Sequence, residues 1–260
     1  MSVQNIVDKD LSIQYLLHLA DNNLILTQRN GEWCGHGPVL EQDIAITNIT
    51  LDLIGQSRLL YQYAAGKINA IDPSVKATED SLAYLRTERE FTNLLLLELP
   101  KGDWALTVLR QFLYATYQRL MFEKLSNSGD KQLAAIAEKS LKEITYHIRW
   151  SSEWVVRLGD GTEESNWRMN RAIDELWRYT GELFQPASFE SVEVTGFDLV
   201  ELSGEWLKRV TEVFDEATLK IPAENTFMQS GGKKGIHTEH LGYVLAEMQY
   251  LQRTYPNAEW

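Results

Sequence analysis

The sequence is poor in cysteine and in basic residues. One cysteine, Cys34, among 260 residues excludes an internal disulfide and favours a reducing compartment. The 25 lysines and arginines are outnumbered by 37 aspartates and glutamates, which gives a net charge of -12. This balance excludes a basic surface large enough for nucleic acid, so an anionic ligand would have to be met by a local group of cations.

Long apolar runs are absent too. The run LLLL at residues 94–97 is far shorter than the roughly 20 residues that a membrane span requires. The first residues are too polar and acidic for a signal peptide. We therefore expect a cytoplasmic protein that has no membrane partner.

Helical periodicity is the main positive signal, because apolar residues recur at intervals of three and four positions. Long helices are predicted over residues 11–29, 39–65, 103–125 and 131–158. Shorter helical segments are predicted over residues 81–99, 164–184, 198–219 and 239–255. Residues 66–80 are predicted as a loop, and residues 191–195 as the one short extended piece.

These lengths predict an all-α fold, a ferritin-like four-helix bundle with additional packed helices. The long loop between the second and third helices is compatible with a ferritin-type crossover. With 44% hydrophobic and 10% aromatic residues the chain can bury a full-sized core, so a single domain over residues 1–260 is expected.

Bundles of this type hold two metal ions with paired Glu-x-x-His motifs and further carboxylates. The sequence has five histidines, and none has Glu or Asp three positions before it. Residues 104–122, in the third long helix, contain no acidic residue, and the first helix offers only Asp21. The sequence therefore predicts no metal site of this type in the chain.

Two histidines on long helices each have alternative interpretations. His147 falls on the face expected to point inward, where it is either a relic of a ligand position or a core histidine, with Glu143 as a candidate partner. The core interpretation is favoured. His18 and Asp21 are interpreted as a polar pair on a solvated helix face.

The turn at residues 31–38 carries Glu32, Cys34 and His36 among three glycines. A thiol and an imidazole are potential ligands for a soft metal or partners in nucleophilic chemistry. Because two donors do not make a zinc site and the glycines indicate a sharp backbone turn, a structural role is favoured.

The run GGKKG at residues 231–235 precedes the last helix and brings Lys233 and Lys234 together with free backbone amides. Such a turn suits a phosphate, although docking on an acidic neighbour explains it equally well. His237 and His240 follow it, and capping and packing are favoured for them over a surface metal.

A dense polar segment precedes the apolar run at residues 94–97. It is interpreted as a solvated face and as a candidate surface for a substrate or a partner. Its candidate residues are Arg86, Arg89, Glu90, Phe91, Thr92 and Asn93.

Five motifs stand out along the chain: QR at 28–29, GEWCGH at 31–36, LDLIGQ at 51–56, GGKKGIHTEHLG at 231–242 and LAEMQYL at 245–251. Together they resemble the structural subunits of bacterial phenylacetyl-CoA epoxidases, the ring-1,2 monooxygenases of aerobic phenylacetate degradation. The resemblance covers residues 11–260 and leaves out only the first ten or so.

The resemblance implies a ferritin-like, non-catalytic subunit without a cofactor of its own. It also implies a homologous catalytic subunit that carries the di-iron site, other subunits of the complex, an NADPH-dependent reductase and contact with phenylacetyl-CoA. The ligand positions of the catalytic relative correspond here to Asn23, the window 52–57, Ala115 or Thr116, and Ile144 with His147. Among these, only His147 clearly keeps a ligand type.

Two other functions remain open at this point. The chain is alternatively a stand-alone acyl-CoA binding module, which requires its own coenzyme A site, or a metal-bearing oxygenase, which requires inward carboxylates. The absence of Glu-x-x-His motifs disfavours the metal-bearing oxygenase, and the resemblance disfavours the stand-alone binding module.

Overall fold

The computed structural model describes residues 2–223, 225–256 and 258, and every regular element within them is helical. The all-α prediction is confirmed for this part of the chain. The α-helices are α1 (Val3–Val7), α2 (Leu11–Gly31), α3 (Leu40–Ile71), α4 (Glu79–Tyr84), α5 (Leu95–Glu98), α6 (Trp104–Leu125), α7 (Lys131–Gly159), α8 (Glu163–Leu176), α9 (Val192–Thr195), α10 (Leu202–Glu216) and α11 (Glu239–Thr254).

Aspartate caps fix the starts of three long helices. The Asp10 carboxylate accepts hydrogen bonds from the second and third amides of α2, and Asp130 does the same for α7. Asp103 accepts from the Leu106 amide at the start of α6. Each cap satisfies backbone donors that the helix itself leaves unpaired, so these helices begin within a residue or two of their predicted starts.

Two predictions of local structure are wrong. The helix α3 runs through Gly66 to Ile71, because the buried Ile68 continues its packed face into the predicted loop. Residues 191–195 are not extended: α9 forms a single turn there, and the Ser191 carbonyl accepts from the amides of the third and fourth residues after it. The helical prediction over residues 164–184 is confirmed, with α8 followed directly by a 3-10 helix at Trp177–Phe184.

The helices form two compact units. The first comprises Met1–Pro100, Ala187–Glu190 and Gly231–Trp260. Here α2 and α3 pack along each other, and their apolar faces are buried. The expectation of a single domain stays a prediction.

The second unit comprises Lys101–Pro186 and Ser191–Ser230. Its central helix is α6, whose side chains are buried on nearly all sides. Trp206 of α10 donates from Nε1 to the Leu113 carbonyl of α6 over 3.0 Å. None of the helices in the described residues has the length and apolar composition of a membrane span.

Candidate functional site

A buried ionic network occupies the first unit, and its first pair joins α2 to the segment after α4. The Arg86 guanidinium donates to both carboxylate oxygens of Asp21, and the Tyr61 hydroxyl donates to the same carboxylate over 2.6 Å. Burial, followed by the negative charge of Asp21, raises the Tyr61 pKa well above its usual value. Asp21 and Arg86 are both buried, so the solvated faces expected for them are wrong.

Asp21 also positions the segment that follows Arg86. Its Oδ2 accepts from the Thr92 amide over 2.9 Å. The Phe91 ring is fully buried, and the central carbon of the Arg86 guanidinium lies over it, 4.3 Å from the ring centre. One carboxylate of α2 therefore holds both the cation and the backbone of this segment.

His18 is neutral, and its neighbours fix the tautomer. Its Nδ1 lies 2.7 Å from the Thr92 carbonyl, which only accepts, so Nδ1 carries the proton. The Leu94 amide donates to Oδ1 of Asn22, which turns the Asn22 NH₂ group toward Nε2 of His18 at 3.1 Å. Nε2 therefore accepts, and burial lowers the pKa of His18 in agreement with a neutral ring.

His237, in contrast to His18, is an imidazolium. Both of its ring nitrogens face acceptors, the Glu98 carboxylate at 2.8 Å and the Phe91 carbonyl at 2.9 Å, so both must donate. Burial lowers its pKa, but the hydrogen bond and charge of Glu98 outweigh that effect and the net pKa is raised. His237 is a packed, charged side chain and not a surface ligand, which agrees with the packing role predicted for it.

Glu98 is fully buried and has every oxygen engaged. Oε2 also accepts from the Asn93 side chain over 2.9 Å, and Oε1 accepts from the Thr238 amide over 2.6 Å. A buried carboxylate with a cation and two further donors is satisfied without solvent.

The third pair joins Lys233 to Glu190. The Lys233 ammonium donates to the two carboxylate oxygens over 3.0 and 2.8 Å, and both side chains are at most 4% exposed. His18 lies 3.6 Å from the same carboxylate, yet as a neutral ring it forms no ion pair with it. Lys233 therefore docks on an acidic neighbour, which was one of its two predicted roles.

Glycines bring the two predicted binding segments together. A Cβ atom at Gly232 would overlap the Asn93 carbonyl oxygen, and one at Gly235 would overlap that of Arg89. Gly235 also has φ +68°, which favours glycine. The prediction of free backbone amides in this turn is wrong in part, because the amides of residues 234, 235 and 236 donate to carbonyls within the same turn.

The eight predicted binding residues separate into two groups. The buried members serve the interior: Arg86, Phe91, Asn93 and Lys233. Of the rest, Thr92 is half-buried and bonded to Asp21, Glu90 accepts from the Thr87 amide over 2.6 Å, and Arg89 and Lys234 are exposed. Binding of substrate by this surface stays a prediction.

The turn at residues 31–38 is held by one carboxylate. Asp43 accepts from the Gly37 amide over 2.9 Å and from the Gly35 amide over 3.2 Å, and these bonds lower its pKa. His36 bonds to the Cys34 carbonyl over 3.0 Å, and the Cys34 side chain is exposed. These contacts agree with the structural interpretation of the turn.

The positions that correspond to metal ligands hold mostly amide, hydroxyl and alkyl groups; His147 keeps a ligand type, and Asp52 is the one carboxylate in the window 52–57. In the first unit, the Asn23 amide donates to the Gln56 side chain over 3.3 Å, and both are buried. In the second unit, Ala115, Ile144 and His147 are fully buried. Within the described residues, His, Cys, Asp and Glu side chains do not gather in threes that could hold a metal ion. Asn23 and Gln56 offer only uncharged amides, and Ala115 and Ile144 have no donor atom, so these residues do not supply the carboxylates that two irons need.

Sequence reasoning missed Glu98 and Glu190 as partners. Glu98 had a signal, since a lone carboxylate in the run LLLLELP is buried only with a cation. No such signal pointed to Glu190, because its partner Lys233 lies 43 residues away in sequence.

Two similarities to known proteins run over nearly the whole chain. A family model described as phenylacetic acid catabolic protein matches residues 2–260. One subunit of the 1,2-phenylacetyl-CoA epoxidase of Escherichia coli (strain K12) is 47% identical over 249 residues, which cover 95% of this chain and 98% of that protein.

Proposed function

The chain belongs to the family of phenylacetic acid catabolic proteins, and from that premise we propose that it is the non-catalytic structural subunit of a 1,2-phenylacetyl-CoA epoxidase. It supports a homologous catalytic subunit that carries the di-iron site, while an NADPH-dependent reductase supplies electrons. The complex works in cytoplasmic phenylacetate catabolism. A ferritin-like bundle is the arrangement we propose for its long helices.

The observation that carries this proposal is that the buried carboxylates in the first unit form ion pairs. Asp21, Glu98 and Glu190 each face a buried cation of the same unit. A carboxylate committed to an ion pair is a poor metal ligand, because a metal would have to displace a cation that is itself buried. Their placement supports a scaffold rather than a metal centre.

The ion pairs also suggest how the chain supports a partner. They fix segments that are distant in sequence, residues 86–98, 187–190 and 231–238, against α2 and one another. Separating the two members of such a pair would leave unpaired charges in the interior, so the segments that they join resist local opening. A rigid surface binds a partner without the entropic cost of ordering loops.

Contact with phenylacetyl-CoA is proposed through Arg89 and Lys234 only. The two cations are exposed on segments that the Gly235 contact places side by side. Coenzyme A carries phosphates, which pair with guanidinium and ammonium groups. Substitution of Arg89 and Lys234 by alanine should raise KM for phenylacetyl-CoA in the complete complex with little change in kcat, whereas Lys220→Ala, at another exposed lysine, should change neither.

The proposal is tested by purifying this chain and its catalytic partner separately and together, after growth with added iron. We expect iron to follow the partner in elemental analysis. Epoxidation of phenylacetyl-CoA, with reductase and NADPH present, should require both chains. Stoichiometric iron in this chain together with activity in the partner's absence would contradict a structural role. Tight binding of phenylacetyl-CoA by this chain alone, measured by calorimetry, would favour the stand-alone binding module.

A further inference from the structure

His237 is held by two hydrogen-bond acceptors at once. Its Nδ1 lies 2.8 Å from Oε2 of Glu98, and its Nε2 lies 2.9 Å from the Phe91 carbonyl oxygen. A protonated ring donates to both acceptors, whereas a neutral ring has a single N–H and donates to one. The bond to the charged carboxylate is the stronger of the two, so a neutral ring keeps that bond. Its Nε2 lone pair then faces the Phe91 carbonyl, and the two acceptors repel each other.

The charges that face His237 come from two helices. Glu98 of α5 pairs with it directly, and Asp21 of α2 adds a more distant negative charge, which Arg86 offsets. Arg29 of α2 donates twice to the Glu98 carbonyl and fixes the backbone beneath the carboxylate. Glu98 therefore stays in place, and the His237 side is free to move. The other charged side chains of the adjoining segments are exposed or bonded elsewhere: Glu88, Arg89, Glu90, Lys233, Lys234 and Glu239.

The segment 234–240, which carries this histidine, lies between two fixed points. Before it, the Lys233 ammonium pairs with Glu190 in the interior. After it, α11 is docked through the buried Leu241 and through the Gln249 amide, which donates to two backbone carbonyls near the end of α4. A displacement of the segment is therefore confined to a few residues and leaves α11 in place.

Within this segment the buried His237 side chain stands out. The side chains of Lys234 and Ile236 are exposed, whereas that of His237 is fully buried. Gly235, with φ +68°, lies two residues before it, and a glycine absorbs backbone rotation at low steric cost. The contacts of His237 therefore control whether the segment stays closed.

We propose that His237 is a pH switch: loss of its proton opens the segment 234–240 away from residues 91–98, while α2 and α11 stay folded. Burial lowers the pKa of His237, but the hydrogen bond and charge of Glu98 raise it by more, so the folded pKa lies above 6.5. The segment is therefore closed below about pH 6.5 and opens as the pH rises through the folded pKa. Neither the switch nor its test rests on the proposed function.

Hydrogen exchange of the full chain, followed by mass spectrometry, tests the switch. After correction for intrinsic rates, the protection of amides 234–241 should fall at least about fivefold between about pH 6 and about pH 9. At about pH 9 it should be at least about tenfold below that of α2, because the segment opens without the rest of the unit. Protection equal to that of α2, or unchanged by pH, would overturn the proposal.

Two variants assign the effect to one side chain. His237→Gln keeps a donor for Glu98 but has no titrating proton, so protection of the segment should be low at every pH. His240→Gln removes the other histidine of the segment and is the matched control, which should keep the wild-type profile. A wild-type profile in His237→Gln would contradict the switch.

An NMR titration of the wild type decides the matter even if His237→Gln does not fold. The imidazole ¹⁵N shifts should show both ring nitrogens of His237 protonated at about pH 6, with a titration midpoint above about 6.5. That midpoint should coincide with the midpoint of the loss of protection. A neutral His237 at about pH 6, or midpoints more than about one pH unit apart, would rule the switch out.

Discussion

His237 and Glu98 form an ion pair 2.8 Å long in which neither side chain is exposed. They lie 139 residues apart in sequence, one just before α11 and the other at the end of α5. The pair therefore attaches the C-terminal helix to the first hundred residues through a contact that water does not screen. Stability of the first unit should depend on it.

Glu98→Gln should lower the free energy of unfolding by about 1–3 kcal/mol, because it removes the charge-assisted hydrogen bond of a buried imidazolium, which then loses its proton. Urea denaturation measures the loss. Glu123→Gln is the control: Glu123 pairs with Arg119 at 2.8 Å on the surface, and its removal should cost about 0–1 kcal/mol. Equal losses for the two variants would show that burial of the first pair has no energetic weight.

The pH dependence of stability should carry the signature of His237. Its folded pKa is raised above the usual 6.5, so its contribution is complete below about pH 6.5 and is lost as the pH rises through the folded pKa. His237→Gln should remove this alkaline loss, as followed by urea denaturation at several pH values.

His18 provides the opposite control. Burial lowers its folded pKa, so the unfolded chain binds the proton more tightly and stability falls as the pH drops below about 6.5. His18→Asn should reduce that acid-side loss and leave the alkaline side unchanged. The same pH profile for both variants would contradict the assigned charge states.

Asp21 and Arg86 should be strongly coupled. Arg86→Met strands the Asp21 carboxylate in the interior and should cost about 3–5 kcal/mol, whereas the double variant Asp21→Asn, Arg86→Met should cost much less than the sum of the singles. A double-mutant cycle by denaturation gives the coupling energy. The exposed pair Glu205 and Arg209, 3.0 Å apart, is the reference and should couple by about 0.3–0.5 kcal/mol.

Gly232→Ala and Gly235→Ala should each destabilise the chain by about 1–3 kcal/mol, since each methyl group meets a backbone carbonyl that must move. Gly204→Ala is the matched control in α10: apart from the helix's own backbone, no atom lies within 4 Å of the added Cβ, and the change should stabilise by about 0.5–1 kcal/mol. Differential scanning calorimetry reports all three. If the first two behave like Gly204→Ala, the segments are not in close contact.

Much of the fold could be predicted from local pattern. The starts of α2, α6 and α7 follow from an aspartate cap and an apolar period, both of which act within a few residues. The wrong predictions lie where packing overrides the local pattern, as at Gly66, which stays helical because Ala65 before it and Ile68 after it are buried. The conversion of residues 177–184 to 3-10 geometry had no local signal.

The sequence by itself determined that this protein is helical and acidic and that it has no Glu-x-x-His motif, because periodicity, charge and motif spacing are properties of neighbouring residues. Only the tertiary structure decided which charges lie inside. Arg86 and Lys233 are typical surface cations until their partners, 65 and 43 residues away, are brought to them. A buried charge is stable only where distant segments converge to pair it, and that convergence depends on the packing of the whole unit.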